Sequence, residues 1–275
     1  MVRLHSLGRK RVERVERMST QVFIMEKPPV KGGIVFVGLP GIGLVGKIVV
    51  DYLVKELKPK KIAEILSDSF PPAVITKNGV VEMFMDHIYY LNHKGKPFYF
   101  VAGPVIPNWD QNVSNTNDQY DFSRTLVAAF KELGISEICT IAGLNIGEER
   151  MKITPHVIAA GTDKNTLEDW KKSGAKNDQP EGTIWGHAGL LLGIGKTQGI
   201  PGVCLMGETS ARLVYGDPGA SKSVLELLMK KYGFKLKMDK IEAETKEIEK
   251  AFQKLAETMQ AEESGNKKLD LPYVR

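Results

Sequence analysis

The feature that most constrains this chain is the stretch Gly33-Ile-Val-Phe-Val-Gly-Leu-Pro-Gly41-Ile-Gly43-Leu-Val-Gly46-Lys47. A β-branched apolar run enters a glycine turn, and Ile42, Val45, Val49, Leu53 and Leu57 then recur at helical spacing until Lys58-Pro59 stops the helix. Strand, glycine turn and apolar helix in that order open an α/β domain.

The same stretch carries two nucleotide-binding signatures. Gly41-x-Gly43-x-x-Gly46 fits the dinucleotide motif, and Gly41-x-x-x-x-Gly46-Lys47 fits most of a phosphate loop. A dinucleotide site needs an acid at a second strand tip about 20 residues on, and Glu64 lies near that spacing. A phosphate loop needs a hydroxyl after its lysine to ligate magnesium, and Ile48 stands there. Pro40 also removes a backbone N–H from the turn. The plainer reading is that three glycines let a helix pack closely on its strand, with positive φ where it is needed. Gly195-Lys196-Thr197 resembles the end of a phosphate loop too, but it lacks the leading glycine, because position 190 is Leu190.

Along the rest of the chain, apolar and turn signals alternate. Lys61–Leu66 reads as a strand. Asn78-Gly79 and Lys94-Gly95 predict two hairpins, which makes the sheet mixed rather than purely parallel. A polar loop spans 103–117 and carries Trp109 and Asp110, which could bind a ligand or a partner; the plainer role for Trp109 is to pin that loop. A helix is predicted from Phe122 to Leu133, strands at Ser136–Leu144, Pro155–Thr162 and Gly202–Gly207, and helices near Asn165–Lys172 and Gly186–Leu192. Asp217-Pro218 opens a further helix as N-cap and first residue, and Gly233 closes it.

Candidate chemistry is sparse. The five histidines have no metal-ligand spacing, and no Gly-x-Ser-x-Gly elbow occurs. Cys139 and Cys204 lie in apolar runs and read as buried free thiols. Glu208 and Asp217 flank a strand-end loop where two carboxylates could do acid–base work, but bonding to loop backbone and capping a helix suit them better. The net charge of +5 is concentrated at the head, where residues 1–17 hold six basic and two acidic side chains. The remainder is close to neutral, so nucleic acid is not an expected partner, although a basic head could touch RNA or anionic lipid. No run has the ~18 apolar residues of a membrane span, so a soluble, cytoplasmic protein without membrane partner, cofactor or metal is expected.

The C-terminal part changes character. Ile241, Thr245, Ile248, Phe252, Leu255 and Met259 are spaced 4-3-4-3-4, either a self-association seam or a helix packed on its own domain. Glu263–Lys268 predicts a flexible break, and the chain ends Leu269-Asp-Leu-Pro-Tyr-Val-Arg275, an apolar and aromatic tip that can fold back or dock elsewhere.

The glycine turn Gly38–Gly46, the later Gly207-Glu-Thr-Ser210, and Asp217-Pro-Gly-Ala-Ser-Lys-Ser-Val-Leu-Glu-Leu-Leu228 together resemble the archaeal branch of the proteasome-assembly-chaperone family over roughly residues 30–232. The resemblance implies an α/β sandwich akin to nucleoside phosphorylases but without their chemistry, and a homo-oligomer, a ring of four or five, that binds proteasome α-subunits. In proteasome activators a C-terminal hydrophobic–Tyr–any tripeptide enters pockets between α-subunits. Carried over, Tyr273 is the anchor, with Leu271 and Val274 beside it and the carboxylate of Arg275 as the charge; here two residues follow the tyrosine instead of one.

The expectation is therefore a three-layer α/β sandwich around a mixed sheet, nucleoside-phosphorylase-like, with a C-terminal helical extension. Residues 1–25 form a basic, disordered extension, 26–237 the core domain, 238–262 an amphipathic helix and 263–275 a docking tail. The function is ATP-independent, non-enzymatic binding of α-subunits as chaperone or gate-opening activator. The alternative is a nucleoside- or nucleotide-processing enzyme using the Gly41–Lys47 turn.

Overall fold

Every residue of the strand Ile34–Val37 is buried, which requires covering layers on both of its faces. The computed structural model describes residues 20–107, 116–177 and 181–250. Within these, the strands are β1 (Thr20–Ile24), β2 (Ile34–Val37), β3 (Lys60–Ser67), β4 (Val74–Lys77), β5 (Val80–Met83), β6 (Asp86–His93), β7 (Lys96–Ala102), β8 (Glu137–Asn145), β9 (Val157–Gly161) and β10 (Gly202–Thr209). The helices are α1 (Val45–Leu57), α2 (Thr116–Glu132), α3 (Lys164–Ser173), α4 (Gly186–Thr197) and α5 (Pro218–Tyr232).

Eight strands form one mixed sheet in the order β1-β3-β6-β7-β2-β8-β10-β9. Its centre, β7, β2, β8 and β10, is parallel, while β6, β3 and β1 on one side and β9 on the other run antiparallel to their neighbours. Alternation along β2 divides the core. Ile34 and Phe36 face α1, α3 and α5, and Val35 and Val37 face α2 and α4. The result is an α/β sandwich of three layers. Phe36, Phe98, Phe100, Tyr232 and Phe234 stack edge-on or offset on the α1–α5 side, each pair adding about 0.5–1.5 kcal/mol beyond area burial.

The two expected hairpins are present, with Asn78-Gly79 and Lys94-Gly95 all at positive φ, as a two-residue primed turn requires. β4 and β5 stand apart as a separate two-stranded sheet.

One expected boundary is corrected, and one open alternative is decided for its first positions. The stretch given to the basic extension includes β1, since Thr20–Ile24 pairs with Ser67–Ala63 and the Thr20 and Ser67 hydroxyls bond at 3.0 Å. Residues 1–19 lie outside the described residues. Residues 239–250 are helical, but the first two seam positions serve the chain's own core. Ile241 is buried in the α1–α5 cluster, and Thr245 is buried with its hydroxyl donating to the Ile241 carbonyl at 2.6 Å. The later seam positions Phe252, Leu255 and Met259 lie outside the described residues.

Candidate functional site

The glycine turn joins β2 to α1, and Gly38, Gly43 and Gly46 are consumed by packing. A Cβ on Gly46 would meet the Ile141 carbonyl oxygen at 2.2 Å, and one on Gly38 would meet the Gly46 oxygen at 2.1 Å. Gly43 has φ +60 and lies against Thr209, whose Oγ1 would sit 2.4 Å from an added Cβ. Gly41 is extended, at φ −166, and faces open space. Leu44 is held at φ 49, a left-handed conformation that costs about 1–2 kcal/mol outside glycine. The turn therefore seats α1 directly on β8 and β2. The Lys47 ammonium donates to Asp51 Oδ2 at 2.6 Å and to the Gly103 carbonyl at 3.2 Å, where a phosphate-loop lysine would face the ligand. Glu64 lies on β3, separated from β2 by β6 and β7, and accepts from Lys61 at 2.5 Å. A ribose-binding acid would stand on the adjacent strand.

Next to Lys47 lies Asp86, which the sequence reading did not single out. It is fully buried at the start of β6, its carboxyl filling the space beside Gly103, where a Cβ would meet Oδ1 at 1.7 Å. Among the described residues neither carboxyl oxygen has a hydrogen-bond partner of ordinary geometry. Burial pushes its pKa up to about 8, against the weaker pull of the Val105 N–H and the Lys47 charge.

The loop and helix start that carried the family resemblance form a buried polar knot. Asp217 accepts from Arg150 Nε at 2.7 Å and Nη2 at 2.8 Å, from Thr209 Oγ1 at 2.8 Å, and from the Ala220 N–H at 3.0 Å as the cap of α5. Its own N–H donates to the Gly43 carbonyl at 2.8 Å, which ties the late loop to the glycine turn. Gly219 is required there, since a Cβ would meet Arg150 Nη2 at 2.5 Å. Glu208 Oε2 accepts from the His156 N–H at 2.8 Å. Glu208 and Asp217 are therefore a backbone brace and a cap, as the plainer sequence reading expects. Arg150, read only as part of a charged loop, is the missed partner, buried and 67 residues from Asp217.

Both thiols are fully buried; burial holds Cys139 well above the ordinary range and pushes Cys204 up to about 11, which suppresses nucleophilic chemistry. Among the described residues no group of three or more His, Cys, Asp or Glu is placed to hold a metal ion, and no helix is long and apolar enough to cross a membrane. Outside the turn, at the carboxyl ends of the parallel strands, an open cleft of about 500 Å³ is lined by Pro40, Ile42, Leu44, Ile106, Leu213 and Val214. Its walls are apolar, unlike those of a phosphate or nucleotide pocket. Trp109, Asp110 and the tail residues Leu271, Tyr273, Val274 and Arg275 lie outside the described residues.

Comparison with known proteins bears on this arrangement. The model of the PAC2 family matches residues 35–256. An uncharacterised protein of Methanocaldococcus jannaschii is 31% identical over 229 residues, covering 82% of this chain and 84% of its own. The crystal structure of Pyrococcus furiosus PbaB, an archaeal proteasome activator, matches with a TM-score of 0.75 and 32% identity, over 87% of this chain and 99% of that one. That of Pyrococcus furiosus PbaA, an archaeal homologue of proteasome-assembly chaperone, matches in fold with a TM-score of 0.67 at 24% identity, over 92% and 99%.

Proposed function

This chain belongs to the PAC2 family, and we propose that it is a homo-oligomeric, ATP-independent binder of proteasome core-particle α-subunits. It serves as an assembly chaperone or as a gate-opening activator. The observation that carries this reading is the likeness to the crystal structure of an archaeal proteasome activator, over 99% of that chain at 32% identity. Two features of the body agree with it. Gly43 and Gly46 are committed to packing and Lys47 to Asp51 and Gly103, and the open cleft beside the turn is apolar.

The contact with α-subunits is assigned to the tail. Leu271, Tyr273 and Val274 supply apolar and aromatic surface, and the Arg275 carboxylate supplies the charge that a pocket lysine would pair with. One such tip binds weakly. Several tips displayed by one oligomer raise the effective concentration of each, and avidity can exceed single-tip affinity by about 10²–10⁴. The test is a pull-down with isolated α-subunits, using the full chain and a chain lacking residues 269–275. The full chain is expected to capture α-subunits and the truncated chain, folded and equally assembled, is expected to lose them. Equal capture by both would reject the tail as the contact.

A further inference from the structure

The topology gathers exposed apolar surface at one end of the molecule. β3 is parallel to β7 and β2 through the antiparallel β6, so the β4–β5 hairpin leaves the sheet at the end where β2 and β10 finish. α4 runs antiparallel to β8, with Ala188 over Thr140 and Gly195 over Ile138, which brings Trp185 to that same end. Of the twelve large apolar side chains exposed among the described residues, eight lie there.

The hairpin is built to insert. All four residues of β5 are exposed, and Val80 and Val81, each 65% exposed, point to opposite faces, so no single surface of the chain's own body covers both. Val74 and Met83 extend the apolar surface along the arm. Among the described residues both outer edges of this two-stranded sheet are unpaired, and an isolated hairpin is marginal in water. Its Lys77 and Glu82 neutralise each other at 2.6 Å. The receiving element is the open cleft, lined by uncharged residues with Ile42 and Val214 exposed at its mouth. Tyr215, 97% exposed, adjoins Val214, and Trp185, 86% exposed, stands at the same end.

The area fits one occupant. These eight side chains offer on the order of 900 Å² of apolar surface, taking about 200 Å² for a freely exposed aromatic. That exceeds the roughly 300–600 Å² patch of an ordinary monomer. A copy that gives its arm to one neighbour and its cleft to another covers all of it, about 450 Å² a side at each contact, which together bury roughly the 1,000 Å² that a specific interface needs. A net-neutral arm, its one lysine paired with its one glutamate, and a cleft lined by uncharged residues impose no like-charge penalty when copies meet.

We propose that the occupant is a second copy of this chain, with the Val74–Met83 hairpin of one copy seated in the Ile42–Val214 cleft of the next. This rests on the homo-oligomer in the function proposed above and names its interface. The substituted side chains are exposed, so the variants Val80→Glu/Val81→Glu and Val214→Glu/Tyr215→Glu retain the fold, which is checked by their melting temperatures.

Light scattering on the eluted peak tests the contact. The unmodified chain is expected as a multimer, and each variant alone as the 30.5 kDa of one chain. Mixing the two variants restores one intact arm and one intact cleft, so a 1:1 dimer appears that neither forms alone. A monomeric unmodified chain, a variant that keeps the multimer mass, or a mixture that fails to pair would each overturn the proposal. Capture of α-subunits is read separately on the same samples, by direct binding of single tails at high α-subunit concentration. Loss of this interface with capture intact leaves the proteasome reading standing, and the reverse result removes that reading alone.

Discussion

Replacing Asp217 with alanine probes the knot that joins the glycine turn to the family's late loop. The substitution removes a carboxylate that accepts four hydrogen bonds and takes the counter-charge from the Arg150 guanidinium, which is 1% exposed. Breaking a buried ion pair from one side costs about 3–5 kcal/mol, and losing a helix N-cap adds about 1 kcal/mol. The expected loss of ~4–6 kcal/mol is a large share of the ~5–15 kcal/mol that holds a domain folded. At about 2–4 °C per kcal/mol for a domain of this size, melting should fall by roughly 10–20 °C. Urea titration followed by circular dichroism measures it. The double variant Arg150→Met/Asp217→Asn keeps a capping side chain and removes both charges, so it should recover at least half of the loss. A loss under about 1 kcal/mol for Asp217→Ala, or effects of Arg150→Met and Asp217→Asn alone that simply add in their double variant, would refute the coupling.

Three further outcomes follow from the same geometry. Gly46→Ala should destabilise by about 1–3 kcal/mol, because its Cβ would meet the Ile141 oxygen at 2.2 Å, while Gly41→Ala should stay within about 0.5 kcal/mol; denaturant midpoints decide, and equal effects would contradict the packing account. Asp86 is held protonated in the fold up to about pH 8, whereas the unfolded chain ionises it near ~3.9. Unfolding between those values releases a proton, so stability falls as pH rises from about 4 to about 8 and levels off above. Asp86→Asn should therefore match the parent near pH 4 and gain on it progressively to pH 8, and parallel melting curves across that range would show that Asp86 is not the cause. Calorimetry with ATP, NAD and nucleosides should show no binding at the Gly41–Lys47 turn; micromolar binding lost in Gly43→Val would instead support nucleotide chemistry.

The sequence revealed what is local. The β2–turn–α1 unit, both Asn/Lys-Gly hairpins and the Asp217-Pro218 helix start each carry their signal within a few residues, and each is where it was expected. Partners far apart in the chain were not legible. Arg150 sits in a charged run that reads as solvated, and only the fold brings it to Asp217. Asp86 resembles any strand-edge acid until Gly103 is seen to leave room for its buried carboxyl. β1 adjoins a basic segment, and its pairing with β3 spans 47 residues between Thr20 and Ser67. Heptad spacing cannot tell a seam between chains from a helix on its own body, and Ile241 belongs to the second case. The tail tip is legible as an apolar, aromatic segment after a polar break, but its expected contact with α-subunits rests on resemblance alone.

Native mass spectrometry of this chain mixed with isolated archaeal α-subunits, in buffer free of nucleotide, tests the central claim most directly. The account predicts complexes of α-subunits with the assembled chain that form without ATP and vanish when residues 269–275 are removed. Spectra holding only the separate components, or complexes that appear only after ATP is added, would contradict it.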